Sequence, residues 1–318
     1  MTEATLDPQA RALLDDAAAA DLPPVTEISV ADARQRLRDT FITDAPLPDI
    51  LLAEERQLAT PRGSFPIRRY RPREGVLPLV MLFHGGGWTL NDLDTHERVC
   101  RRLANACQTV VISVGFRRSP EFPYPTQVED CFLATAWATQ HAVELAIDPR
   151  RVGLFGDSSG GANVAAVSLL ARDRGFPDLR MQCLLYPVTD APSASSPSYE
   201  ERGTGYVLDA PTMLWFWDKY TGALDHVDLD DPYLCPLRAS DLSGLPGGIV
   251  VTAEFDPLRD EGRRFAERLR AAGNDVDHHH VADLMHNFLL QTDDIARADD
   301  EVSWIFEQIR SRLTSRSS

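Results

Sequence analysis

Apolar and polar positions along this chain change rhythm twice. The first stretch reads as helix: residues 8–20 are rich in Ala and Leu, and "VADARQRLRDTF" (30–41) spaces its apolar residues by three and four, with "DLPPVT" between the two. "ILLAEERQLATPRGSFPIRRYRPRE" then alternates on either side of "TPRGS", which predicts a β-hairpin with a Pro/Gly turn. From residue 78 onward, short apolar runs and amphipathic stretches take turns. "LPLVMLF", "TVVISV", "RVGLF", "MQCLLYPV", "GGIVVTAEFD" and "DVDHHHV" predict strands. "HERVCRRLANACQ", "TQVEDCFLATAWATQHAVEL", "GANVAAVSLLARDRG", "RDEGRRFAERLRAAG" and "DDEVSWIFEQIRSRL" predict helices. Apolar strands alternating with helices imply an α/β fold with a mostly parallel sheet covered on both faces.

One segment breaks this alternation. Residues 190–235 begin loop-like and carry the aromatic cluster Trp215, Phe216 and Trp217. The expected organisation is therefore a core of residues 49–189 and 236–318, with two additions that pack together as a cap. These are an N-terminal helical segment, 1–48, and a second insertion, 190–235.

Composition narrows the classes. At 318 residues, 43% hydrophobic and 25% charged, the chain can bury a large core without disulfides or metals. Its formal charge of −16 argues against nucleic-acid binding, which needs clustered Lys and Arg, and against docking on anionic membranes. The cysteines, Cys100, Cys107, Cys131, Cys183 and Cys235, are odd in number and contain no C-x-x-C pair, so buried free thiols are expected rather than a disulfide framework or zinc site. The N-terminal stretch carries acids and lacks the basic and apolar regions of a signal peptide, and no apolar run is long enough to span a bilayer. The expected location is cytoplasmic.

The chemistry centres on "GDSSG", Gly156 to Gly160, between a strand and a small-residue helix. In G-x-S-x-G the flanking glycines permit a sharp turn that lifts the central hydroxyl, here Ser158, above the sheet edge. The N–H of the next residue, Ser159, becomes the expected oxyanion donor. A serine needs a base. In this architecture the acid and the histidine follow the serine in that order, on loops at the carboxyl ends of later strands. Asp256 follows "GGIVVTAEF", and His286 follows the last strand. Glu254 and Asp260 are the nearby rival carboxylates; the first is nearer the strand and the second falls in the next helix. Adjacent strand residues face opposite ways, so His278, His279 and His280 cannot converge on one ion, and no metal site is expected. His96, His141 and His226 lack a motif context. Upstream, "FHGGGW" (Phe83 to Trp88) exposes glycine N–H groups suited to an oxyanion. It lacks the Lys-Ser/Thr that a phosphate loop requires. His84 is read as holding that loop.

Together "HGGGW", "GDSSGG", "EFDPLRDEG" and a late His before Asn-Phe resemble the hormone-sensitive-lipase-like branch of the α/β-hydrolases, in the expected order from about residue 50 to the C-terminus. The resemblance implies an eight-stranded, mostly parallel sheet with a helical cap, and hydrolysis of small carboxylic esters without metal or organic cofactor. It implies Ser158 as nucleophile, His286 as base and Asp256 as orienting acid, with Gly85, Gly86, Gly87 and Ser159 forming the oxyanion hole. The expected substrate contacts are Trp88, Asp157, Trp215 and Asn287. A homodimer is left open by family habit. The chain departs from the family pattern in Ser159, where alanine is usual, in "GFRRSPE", where Gly115 replaces an aspartate, and in Asn287, where glycine is common. Acyl transfer, amide cleavage, and a non-catalytic binding protein on the same scaffold are the alternative readings.

Overall fold

The computed structural model describes residues 4–61, 63–192, 196–222 and 227–315. Eight strands form one sheet in the order β1-β2-β4-β3-β5-β6-β7-β8. They are β1 Leu52–Thr60, β2 Gly63–Arg71, β3 Leu77–Phe83, β4 Val110–Val114, β5 Ile147–Asp157, β6 Met181–Leu185, β7 Gly248–Phe255 and β8 Val276–Met285. The hairpin expected around "TPRGS" is β1–β2; β2 also runs antiparallel to β4, and every other pair is parallel. β3 and β4 are buried along their whole length, as strands covered on both faces must be.

Ten helices are described: α1 Pro8–Ala19, α2 Val30–Phe41, α3 Glu97–Cys107, α4 Thr126–Gln140, α5 Ala142–Leu145, α6 Ser159–Arg174, α7 Pro197–Arg202, α8 Ala210–Thr221, α9 Arg259–Ala271 and α10 Ala296–Thr314. The single helix expected over 126–145 is two, with His141 between α4 and α5, where its ring nitrogen bonds the Trp137 carbonyl at 2.8 Å. One sheet face packs α4, α6 and α9 residues such as Phe132, Leu169 and Phe265. The other packs Leu103 of α3, Ile305 and Phe306 of α10, and Ala10 of α1.

A third apolar cluster joins Ala33 of α2 to Met213, Phe216, Trp217 and Tyr220 of α8 and to Leu258 after β7. The N-terminal α2 and the 190–235 insertion thus share one packing unit above the carboxyl ends of the strands. By contrast, α1 sits on the α3/α10 side, tied by the Asp7 N–H to the Asp283 carbonyl at 2.8 Å. No helix among the described residues is long and apolar enough to cross a membrane.

Strand alternation separates the histidine run as expected. His278 and His280 both reach the Thr252 hydroxyl, at 2.9 and 3.1 Å, while His279 stacks on Trp304 of α10. All five cysteines are free and buried.

Candidate active site

β5 ends at Asp157, and Ser158 turns the chain into α6 with φ 55° and ψ −121°, a conformation L-residues avoid. The Ser158 N–H donates to the Leu185 carbonyl of β6 at 2.9 Å, and its carbonyl accepts from Ala162 and Val188, each at 3.2 Å. The turn leaves no room for side chains where it approaches β3. A Cβ on Gly160 would lie 2.0 Å from the Phe83 carbonyl oxygen.

His286 follows β8 and Asp256 follows β7, so parallel strands bring all three groups to one edge. The His286 Nε2 lies 3.0 Å from the Ser158 Oγ, and its Nδ1 lies 2.7 Å from the Asp256 Oδ2. A carboxylate accepts only, so Nδ1 carries the proton and Nε2 presents its lone pair to the serine hydroxyl. The other Asp256 oxygen accepts the Leu258 N–H at 2.9 Å. Ser158 is 8% exposed, His286 5% and Asp256 0%, so the three groups are almost wholly covered by protein. The rival carboxylates are engaged elsewhere. Glu254 bonds Arg202 and Arg259 at 2.8 and 2.9 Å, and Asp260 accepts the Ser198 N–H at 3.0 Å.

The glycine loop lies against the same turn. Neither the Gly86 nor the Gly87 N–H has a partner among the described residues. The Ser159 N–H opens α6, where the first N–H groups have no partner within the helix. The helix dipole also favours negative charge there. These three N–H groups can receive an oxyanion. Gly85 cannot join them, because its N–H donates to the Asp157 Oδ1 at 2.9 Å. Asp157 is likewise not a substrate contact. It is 1% exposed and lies 3.3 Å from His96 Nε2. Burial alone would raise the Asp157 carboxyl, but His96 and the Gly85 N–H outweigh it and hold it below the usual carboxylate value. Burial, assisted by His96, pushes the His84 imidazole down to about 3. It is therefore neutral, and its Nδ1–H donates to the Gly85 carbonyl at 2.8 Å.

The other expected contacts move too. Trp88 is 1% exposed, its indole stacked on Tyr220 with centroids 3.9 Å apart and edge-on to Trp217 at 5.6 Å, so it braces the loop against α8 instead of facing substrate. Trp215 is half-buried, edge-on to Phe216, with the Lys219 ammonium over its ring. Its neighbour Phe216 is the residue that covers the glycine loop: a Cβ on Gly87 would fall 2.0 Å from the Phe216 ring. Helical geometry explains the exchange, since adjacent residues point about 100° apart. Asn287 has φ 70°, the left-handed conformation that glycine or asparagine supplies most readily, so its place is in the turn beside His286.

Two further groups had no motif to reveal them. Tyr186, just past β6 with φ 33°, sets its ring 4.6 Å from the His286 ring and accepts the Leu289 N–H at 3.3 Å. Glu261 of α9, 2% exposed, accepts the Thr189 N–H at 2.7 Å and fixes the loop after β6. Burial raises its carboxyl well above the usual value.

Residues 80–290 match the family model described as alpha/beta hydrolase fold. The chain is 39% identical over 302 residues to carboxylesterase NlhH of Mycobacterium tuberculosis, covering 91% of this chain and 92% of that one. It is 45% identical over 235 residues to carboxylic ester hydrolase LipN of the same organism, covering 72% of this chain and 62% of LipN, so it spans less than two thirds of that relative's length. A crystal structure of a thermostable esterase from Pseudomonas putida superposes with a TM-score of 0.91 at 33% identity, covering 99% of this chain and 100% of that one.

Proposed function

The chain belongs to the hormone-sensitive-lipase-like branch of the α/β-hydrolase family and is a carboxylic ester hydrolase, and from that premise we propose that it cleaves short-chain esters through a Ser158–His286–Asp256 triad and an acyl-enzyme. The observation that carries this reading is the unbroken line from Ser158 Oγ through His286 to Asp256, at 3.0 and 2.7 Å, beside the unpartnered N–H groups of Gly86 and Gly87.

Ser158 attacks the ester carbonyl while His286 Nε2 takes its proton. Asp256 holds the tautomer and stabilises the imidazolium. The oxyanion is received by Gly86, Gly87 and Ser159 N–H groups, whose individual loss in such sites costs about 100- to 1,000-fold. His286 then gives its proton to the departing alcohol. Water, deprotonated by the same histidine, hydrolyses the acyl-enzyme. The short-chain preference is supported by Phe216 lying over the loop.

The test is hydrolysis of p-nitrophenyl esters of rising acyl length by wild type and Ser158→Ala. Turnover should peak at short chains and vanish in the variant, with its melting temperature retained. A folded Ser158→Ala enzyme with wild-type turnover would overturn the triad. A maximum at long chains would overturn the short-chain assignment alone.

A further inference from the structure

The residues flanking Ser158 both grip the glycine loop. On one side the Asp157 carboxylate accepts the Gly85 N–H at 2.9 Å. On the other, the Ser159 Oγ accepts the Trp88 N–H at 3.1 Å. Between these anchors lie Gly86 and Gly87, the two loop residues whose N–H groups are unpartnered among the described residues. The Gly86 carbonyl accepts the Thr89 and Leu90 N–H groups at 3.2 and 2.8 Å, so the loop itself holds the Gly86–Gly87 peptide but not the Gly87–Trp88 peptide that follows. Gly86, Gly87 and Trp88 are consecutive residues with φ of 107°, 59° and 56°, and the last is not a glycine. A tryptophan holds that backbone only where its surroundings over-determine it. The Trp88 carbonyl is fixed by the Ser119 N–H at 3.0 Å and by the Ser119 hydroxyl at 3.2 Å, and the indole by Tyr220. The N–H side of the residue, which shares a peptide plane with Gly87, has the Ser159 hydroxyl as its partner.

We propose that the Ser159 hydroxyl is a positioning group for ester cleavage: by accepting the Trp88 N–H it locks the Gly87–Trp88 peptide and so aims the oxyanion donors of the glycine loop at the carbon that Ser158 attacks. The proposal rests on the oxyanion-hole reading above. Ser159 thereby sets both halves of the hole, its own N–H by position and the glycine loop through its side chain. Alanine at 159 would leave the Trp88 N–H buried without an acceptor. That loss, in a residue already at positive φ, releases the loop toward ordinary backbone geometry and draws Gly87 away from the oxyanion. A displaced donor is weakened, not deleted, so the effect falls below that of removing one outright.

The experiment compares wild type, Ser159→Ala, Ser159→Thr and Ser158→Ala on p-nitrophenyl acetate. Each protein except Ser158→Ala is also titrated with a short aryl trifluoromethyl ketone. This compound adds reversibly to the serine oxygen as a tetrahedral hemiketal and so reports the hole directly. Ser159→Ala should lose on the order of tenfold in kcat, with KM within about twofold and the melting temperature close to wild type. Its inhibition constant for the ketone should rise by the same factor. Ser159→Thr, which keeps the oxygen, should restore both. Threonine adds a methyl in a fully buried position, so the alanine arm decides alone if that variant does not fold. Wild-type kcat and ketone affinity in Ser159→Ala, alongside an inactive Ser158→Ala, would overturn the positioning role and leave the triad standing. A kcat loss with unchanged ketone affinity would also overturn it, since the defect would then lie in proton transfer or deacylation. An active Ser158→Ala would overturn the reading underneath.

Discussion

Replacing Asp256 by asparagine tests the electrostatics of the site with almost no change of shape. The carboxylate makes two contacts in a fully buried position: Oδ2 with His286 Nδ1 at 2.7 Å, and Oδ1 with the Leu258 N–H at 2.9 Å. Asparagine has one oxygen and one NH2 to distribute between them. With its oxygen on Leu258, both bonds survive only if His286 Nδ1 accepts from the amide. The histidine proton then moves to Nε2, where it faces Ser158 and cannot take the serine's proton. With the amide reversed, the active tautomer survives, but the buried Leu258 N–H meets a second donor. Leaving such a group unsatisfied costs about 1–3 kcal/mol, so the active arrangement is the minor one by roughly five- to 150-fold. That minor form has also lost the negative charge that stabilises the imidazolium. Together these effects should lower kcat by about 10³- to 10⁴-fold, or about 4–5 kcal/mol, comparable to the same exchange in a serine-protease triad. Steady-state turnover of p-nitrophenyl acetate is the assay, with circular dichroism and a thermal melt to show that the fold is kept. An Asp256→Asn enzyme within tenfold of wild type would refute the reasoning.

Two other perturbations probe the frame around the site. Gly160→Ala puts a methyl carbon 2.0 Å from the Phe83 carbonyl oxygen, where rigid backbone must yield. Overpacking typically costs about 1–3 kcal/mol, and this site should reach the upper end. The melting temperature should fall by roughly 3–5 °C together with turnover, and an unshifted melt would show that β3 and α6 are not locked there. Glu261 concerns pH. Its folded-state carboxyl sits well above the ordinary value of 4.5, because burial opposes its charge. The stability it contributes is therefore complete below the unfolded value and is lost as pH rises through the folded one. Glu261→Gln cannot ionise, so its melting temperature relative to wild type should increase as pH rises above the unfolded value and level off once the folded carboxyl ionises. Parallel curves for the two proteins would mean that the folded carboxyl is ionised like the unfolded one and that burial does not raise it.

The layered fold was legible because burial imposes a period on sequence. β3 and β4 are unbroken apolar runs, and α3 and α9 carry apolar stripes, so alternation alone placed them within a few residues. Ser158 was legible from its glycine-flanked motif between a strand and a helix, and Asp256 and His286 from their order after it near the ends of later strands. Trp88, Gly85 and Asp157 were misjudged because their roles depend on direction. Whether an indole faces substrate or Tyr220, and whether an N–H is free or held by a carboxylate 72 residues away, is decided by packing that no local pattern encodes. Tyr186 and Glu261 carry no motif, and only the sheet brings them to His286 and to the loop after β6.

Backbone strain follows the same division. Eight described non-glycine residues have positive φ, and four of them, Trp88, Ser158, Tyr186 and Asn287, belong to the site or its walls. Each such residue costs on the order of 1–3 kcal/mol in isolation, so local preference alone would relax all four. Three are held by contacts from other elements, and Asn287 by its own turn. Trp88 is held by Ser119 and Tyr220, Ser158 by Leu185 and Val188, Tyr186 by Val251 and Leu289, and Asn287 by the turn to Leu290. The strain is thus supported by the sheet ends and the cap packing together. On this account a substitution that loosens α8, such as removal of the Tyr220 ring from Trp88, weakens the oxyanion donors without touching the substrate. Under the proposed mechanism α8 and the oxyanion donors are coupled through Trp88, and turnover should respond to changes in α8 even for esters too small to reach it.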